Sequence, residues 1–212
     1  ERLQTKFIDL YQIHRWDYET PIEETLITLD QLVKDDKVRH IGGSNMWTWQ
    51  FAKSLWICND LDLERFETMQ THYNLCYREE EREMFPFCKD QNISTLIYNP
   101  VAKGFLTGKY TRNGKNNSIR FKSDPGLTTK FFKSEDFDIL EVVIQIANEK
   151  DVKPAQIALA WSLEKNITSP IIGVTKISHV EEAVGSLNIK LTSDDIKRLE
   201  EPYQVQAVEH LS

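Results

Sequence analysis

Cysteine is scarce in this 212-residue chain, and what there is has no pattern. Cys58, Cys76 and Cys88 are odd in number and widely spaced. They form no CxxC pair and none of the spacings that bind zinc, so a disulfide scaffold and a metal centre are both excluded as expectations. Reduced thiols in the cytosol are the simplest account, which sets the expected location as cytoplasmic. Long apolar runs are missing too. None approaches the ~20 residues that span a bilayer, and Glu1-Arg2-Leu3-Gln4 has no apolar signal core. No methionine stands at position 1, so the numbering is read as starting inside a longer frame. Basic charge is in deficit: 26 Lys and Arg against 33 Asp and Glu leave a net charge of -7. A general nucleic-acid binder needs the opposite balance. The glycine patterns of the Rossmann fingerprint and the P-loop are absent, as is any solenoid repeat.

What remains is an alternation of strand-like and helix-like runs, with no linker that would divide residues 1–212 into more than one domain. Residues 7–14 (FIDLYQIH), 38–43 (VRHIGG), 66–71 (FETMQT), 94–98 (STLIY) and 167–173 (ITSPIIG) read as five strands. Between them lie helical periods. Ile22, Leu26, Leu29 and Val33 form one buried stripe. Thr20 is placed to cap that helix, with Pro21 as its first residue. Further helices are expected over 47–57, 79–89, 135–150, 154–164 and 179–187, and after Thr192. Residues 101–133 show no clear period, and a stretch that long inside a compact domain is usually functional or disordered. Strand and helix in repetition mean a parallel sheet flanked by helices. Periodicity leaves two architectures open, a doubly wound sheet or a (β/α)8 barrel. Five strands are short of the barrel's eight.

Several residues sit where such folds build their sites, at strand carboxyl ends. His14 is one, on the same strand face as Leu10 and Gln12. Taken alone, a histidine there is more often structural. Gly42-Gly43-Ser44-Asn45 follows the second strand. Glycine allows close backbone approach, and Ser and Asn can bond a carboxamide; a plain turn with a capping serine fits equally. Tyr98 leaves the fourth strand, where its ring can face a flat ligand. Lys109, Arg112, Lys115, Arg120 and Lys122 follow, a basic loop on an acidic protein. Such a loop suits a phosphate-bearing ligand, although a solvated surface is the plainer reading. Gly173-Val174-Thr175-Lys176 leads into another helix, and helix starts bind phosphate.

The runs IDLYQIHRWD, RHIGGSN, QTHYNL, IYNPVAKGFLTGKY, KPAQIALAWSL and SPIIGVTK occur in that order. Together they resemble the aldo-keto reductase family, and most closely its aryl-alcohol dehydrogenase branch. The resemblance runs from the first residues to about Leu199. It implies an α/β fold, a (β/α)8 TIM barrel of the aldo-keto reductase type, incomplete, with the first strands missing. It also implies NADP(H) as cofactor and hydride transfer to or from a small aldehyde or alcohol. By the resemblance, His14 is the catalytic histidine that orients the substrate carbonyl. Ser44, Asn45 and Gln70 hold the nicotinamide carboxamide, and Tyr98 stacks on its ring. Asn99, Pro100, Val101 and Lys109 form the pyrophosphate loop, clamped by Arg120. Gly173, Thr175, Lys176, His179 and Glu182 serve the adenosine and 2′-phosphate.

Lys103, Ala183 and the Val174-Thr175 pair depart from the branch's pattern. The family's tyrosine acid, its lysine and its aspartate lie before the strand that leads to His14, where this sequence has only Glu1 to Lys6. Two functions therefore compete on the resemblance: an NADP(H)-dependent reductase of aromatic aldehydes, or a truncated, non-catalytic NADP-binding or inactive remnant; Trp47 and Trp49, just after the Ser-Asn pair, fit a lining for an aromatic substrate and fit helix packing equally. A third is an unrelated phosphate-binding α/β protein. No membrane or nucleic-acid partner is expected, and the oligomeric state stays open.

Overall fold

A computed structural model describes residues 3–112 and 131–208. Five strands alternate with helices along the chain: β1 (Ile8–Gln12), α1 (Ile22–Lys34), β2 (Val38–Ser44), α2 (Thr48–Asp60), β3 (Phe66–His72), α3 (Met84–Asp90), β4 (Ser94–Tyr98), α4 (Ser134–Glu149), α5 (Pro154–Leu163), β5 (Ser169–Ile171), α6 (Ile177–Gly185) and α7 (Ser193–Glu200). Three short 3-10 turns span Glu79–Glu81, Ala102–Thr107 and Ser186–Asn188. Strand order follows the chain, β1-β2-β3-β4-β5. The pairs β1–β2 and β2–β3 are parallel, with Leu10 opposite His40 and Ser44 opposite Gln70. Parallel neighbours joined by helices are the repeat of a (β/α)8 barrel, and the described residues supply five of its strands.

All five expected strands form. Three local expectations do not hold. Thr20 does not cap α1: its hydroxyl bonds the Asp17 carboxylate at 2.7 Å, and Pro21 itself stands at the cap without a side-chain bond. The helix expected over 79–89 shrinks to the turn Glu79–Glu81 followed by the seven-residue α3. β1 ends at Gln12, so His14 lies in the following loop.

The chain divides into two compact units. The first comprises 1–71, 80–96 and 208–212; the second comprises 72–79 and 97–207. The first unit has its own core, in which Leu26 and Leu29 of α1, Ile41 of β2, Phe51 and Leu55 of α2, and Phe66 and Met69 of β3 are buried together. Phe51 and Phe66 stack with ring centroids 5.7 Å apart. Buried apolar groups of this size each contribute about 1.5–3 kcal/mol. Cys58 and Cys88 lie in the same core, and burial pushes their thiols up to about 11 and about 12. Thiols held protonated in this way are poor nucleophiles.

The second unit is built on aromatic rings. Phe105 packs against Tyr110, Phe131, Phe132 and Phe137. Trp161 of α5, fully buried, stacks on Tyr73 at 5.2 Å and donates its indole N–H to Glu200 at 2.9 Å. The tail after α7 is tied down: the Tyr203 hydroxyl and the Gln206 amide N–H both donate to Glu79 at 2.7 Å.

Among the described residues, four of the seven helix starts share one device in which the third helical residue reaches back to the cap amide. Gln50 accepts from Trp47 N–H, Asp136 from Lys133, Gln156 from Lys153 and Asp195 from Thr192. Asp136 is the costly case. It is fully buried, and desolvation pushes its carboxyl from 3.8 up to about 6 despite the bond from Lys133 N–H. A carboxyl raised in the folded state binds its proton more tightly there than in the unfolded chain. Its ionisation therefore removes stability as pH rises between about 4 and about 6, and the full penalty stands above that window. Asp136→Asn keeps an oxygen acceptor for the cap and removes the charge. It is expected to raise Tm by about 2–4 °C at pH 7.5, the shift of roughly 1 kcal/mol in a chain of this size. At pH 4 the gain should vanish. Equal Tm shifts at both pH values, measured by calorimetry, would contradict this account.

Candidate functional site

Gly42 organises a polar cluster within the first unit. A register irregularity falls between Ile41 and Gly42 in the β2–β3 pairing. A Cβ at Gly42 would lie 2.1 Å from Thr68 Oγ1 and 3.0 Å from Gln12 Cγ, so no larger residue fits. Into that space Gln12 donates to Thr68 Oγ1 at 3.0 Å, and Gln70 donates to Gln12 Oε1 at 3.4 Å. Three polar side chains of β1 and β3 thus meet over the bare backbone of β2.

Two residues further along, β2 ends at Ser44, and Asn45 follows it. Ser44 is buried and donates to the Gln70 carbonyl at 2.9 Å, and Asn45 N–H donates to the same carbonyl at 3.3 Å. Asn45 adopts a left-handed backbone, φ 48°, which asparagine tolerates better than most residues. Its side-chain amide donates to Ser44 Oγ and to the His14 carbonyl, both at 2.9 Å. The structure therefore brings His14, Ser44, Asn45 and Gln70 together. The His14 side chain is exposed, and its backbone is what Asn45 holds. The sequence reading missed Gln12 and Thr68 as members of this cluster. The available signal was a glutamine on an inward face of β1 and a glycine opposite it. Trp47 and Trp49 are exposed, and Trp49 lies against Trp16 with centroids 6.1 Å apart.

In the second unit, Tyr98 ends β4 and is half-buried. Its carbonyl accepts from Tyr73 N–H at 3.5 Å. The next carbonyl, of Asn99, accepts from Asn74 Nδ2 at 3.0 Å and from Ala102 N–H at 2.8 Å. Four residues here have left-handed backbones: Asn99 (φ 57°), Ala102 (49°), Lys103 (54°) and Gly104 (92°). The Ala102 and Gly104 N–H groups donate to the Asn99 and Val101 carbonyls at 2.8 and 2.9 Å, which folds this segment into tight turns. Pro100 is buried, Val101 half-buried and Lys109 exposed. Arg120 lies outside the described residues.

After β5, Gly173, Thr175 and Lys176 are exposed, and a Cβ at Gly173 would meet nothing within 4 Å. α6 starts at Ile177 with no side-chain cap. His179 is half-buried on its first turn. Glu182 is engaged by protein: Lys153 Nζ pairs with its carboxylate, and Gln156 Nε2 donates to its carbonyl at 3.0 Å. Among the described residues no helix is long and apolar enough to cross a membrane.

The aldo/keto reductase family profile matches residues 1–204. The chain belongs to the aldo/keto reductase family. Within it, a versiconal hemiacetal acetate reductase of Aspergillus parasiticus is 39% identical over 211 residues, covering 98% of this chain and 60% of that protein. An aldo-keto reductase of Metarhizium robertsii, dtxS3, is 37% identical over 212 residues, 99% of this chain and 56% of that protein. A Saccharomyces cerevisiae protein provisionally named an aryl-alcohol dehydrogenase, AAD16, is 39% identical over 209 residues, 97% and 59%. This aldo/keto reductase chain thus spans less than two thirds of the length of these relatives.

Proposed function

We propose that this aldo/keto reductase chain carries the cofactor-binding and carbonyl-orienting part of an NADP(H)-dependent oxidoreductase, acting between aromatic aldehydes and their alcohols. The observation that supports this most is the junction of Ser44, Asn45 and Gln70 with the His14 backbone. Hydroxyl and amide groups gathered at strand tips match the donors and acceptors of a carboxamide. The nicotinamide, when bound, supplies the hydride. Ser44, Asn45 and Gln70 would hold its carboxamide. Tyr98 would offer a flat ring to stack on, and the turns at 99–104 with Lys109 would take the pyrophosphate. Gly173, Thr175, Lys176 and His179 would serve the adenosine end, where lysine next to an uncapped helix start favours the extra phosphate of NADP over NAD. Glu182 would act there through its pair with Lys153. The His14 imidazole would donate a hydrogen bond to the substrate carbonyl oxygen, orienting it and favouring charge that develops there.

The test is direct. The protein is titrated with NADPH and with NADH while nicotinamide fluorescence is followed, and NADPH oxidation is then measured with a panel of aromatic aldehydes. The expected result is saturable NADPH binding, tighter than NADH, with turnover of at least one aldehyde. No binding of either nucleotide would overturn the reading.

A further inference from the structure

β3 ends in a histidine that the proposed reaction does not use. His72 is buried, and two rings lie nearly parallel to its imidazole: Tyr77 at 4.7 Å and 12°, and Tyr98 at 5.2 Å and 11°. Both tyrosine rings therefore stack on His72, and Tyr98 leans on its imidazole. Phe131 closes its edge at 6.1 Å and 75°.

The hydrogen bonds around Asn74 hold these rings in register. Asn74 and Tyr77 exchange backbone N–H···O bonds of 3.1 and 3.0 Å, a tight turn that carries Tyr77 back against His72. Cys76 N–H must donate, and it does so to Asn74 Oδ1 at 2.9 Å. That fixes the amide's orientation, so Asn74 Nδ2 faces the other way. It donates to the Asn99 carbonyl at 3.0 Å and lies 3.1 Å from His72 Nε2, which therefore accepts. One buried amide thus ties the imidazole to the backbone immediately after Tyr98. Ring and main chain at 98–99 are held by the same pair of residues.

We infer that His72, locked by Asn74, is a positioning residue that sets the plane of the Tyr98 ring and through it the pose of the nicotinamide. The inference rests on the proposed stacking role of Tyr98. His72 touches neither cofactor nor substrate. What it contributes is a flat, fixed backing, so that the tyrosine ring cannot rotate about its Cβ–Cγ bond when a ligand leans on it. Reacting groups displaced by about 1 Å can cost as much as 10²-fold in rate, so a backing of this kind acts on the hydride step more than on affinity. Affinity for NADPH is dominated by charge at the phosphate end.

Three variants test this: His72→Ala removes the backing, His72→Phe keeps a flat ring without the acceptor, and His72→Leu fills the volume without a flat ring. Tyrosine ring resonances of the ligand-free protein are recorded first. Tyr98 signals should lose their ring-current shift in the alanine and leucine variants and keep it in phenylalanine. With NADPH and an aldehyde, alanine or leucine should lower kcat about tenfold, raise the primary isotope effect from deuterated NADPH, and leave the NADPH Kd within about threefold. Phenylalanine should restore most of kcat. Should alanine fail to fold, the leucine and phenylalanine pair decides alone. Unchanged Tyr98 signals and kcat in the leucine variant, or a phenylalanine variant as impaired as leucine, would overturn the inference. If the native protein binds no nucleotide, it is the functional reading that fails, and the ring signals still decide what His72 does.

Discussion

His14→Ala is expected to lower kcat for aldehyde reduction by about 10²–10⁴-fold, the range for a positioned group that assists the reacting oxygen, with little change in NADPH affinity. The split follows from which atom of His14 is held. Asn45 Nδ2 donates to the His14 main-chain carbonyl, not to the imidazole. Alanine retains that carbonyl, so Ser44, Asn45 and Gln70 should keep their mutual bonds, and with them the proposed carboxamide contacts. The side chain itself is exposed and packs little, so folding should also be spared. The check is a NADPH titration beside steady-state kinetics. A fall in affinity equal to the fall in kcat would show that His14 supports the cofactor site. Unchanged kinetics would remove it from the chemistry altogether.

The second large effect is on stability. Gly42→Ala places a methyl group 2.1 Å from Thr68 Oγ1, far inside contact distance, at a buried position between two paired strands. The clash falls on a short β-branched side chain, which cannot swing clear as a lysine tip could. Overpacking of this kind costs about 1–3 kcal/mol, and each kcal/mol lowers Tm by about 2–4 °C for a chain of this length. The same displacement breaks the Gln12–Thr68 bond, so nicotinamide binding should weaken with it. The compensating change is Thr68→Ala. A double variant, Gly42→Ala with Thr68→Ala, should recover most of the lost Tm, because residues in contact are not additive. A double variant that simply sums the two single losses would show that the strain lies in the β2 backbone.

The five strands were legible because each is an apolar or β-branched run cut by glycine, proline or asparagine. α4, α5 and α7 were legible to within a residue or two because their capping residues are written in the chain. α3 was not. Residues 79–89 have helical composition, but Tyr203 and Gln206 draw Glu79 into bonds with the tail, and the helix begins only at Met84. The Thr20 cap failed for a similar reason, since the Asp17 carboxylate takes its hydroxyl. Of the residues proposed for function, Ser44, Asn45 and Tyr98 stand out by their motifs. His72 does not, because nothing local marks a histidine that will be stacked by one tyrosine five residues on and another twenty-six residues on.

The sequence by itself determined the family, the alternation of strands and helices, and which residue types stand at the strand tips. Those are carried by local patterns: period, turn chemistry and short motifs in a set order. Only the tertiary structure decided that Asn45 grips the His14 backbone, that Gly42 is bare because Thr68 and Gln12 meet over it, and that His72 backs the ring of Tyr98. Each of these is a contact between segments separated by between 26 and 56 residues. Such contacts are set by strand register and packing, and neither can be read from one stretch of chain alone.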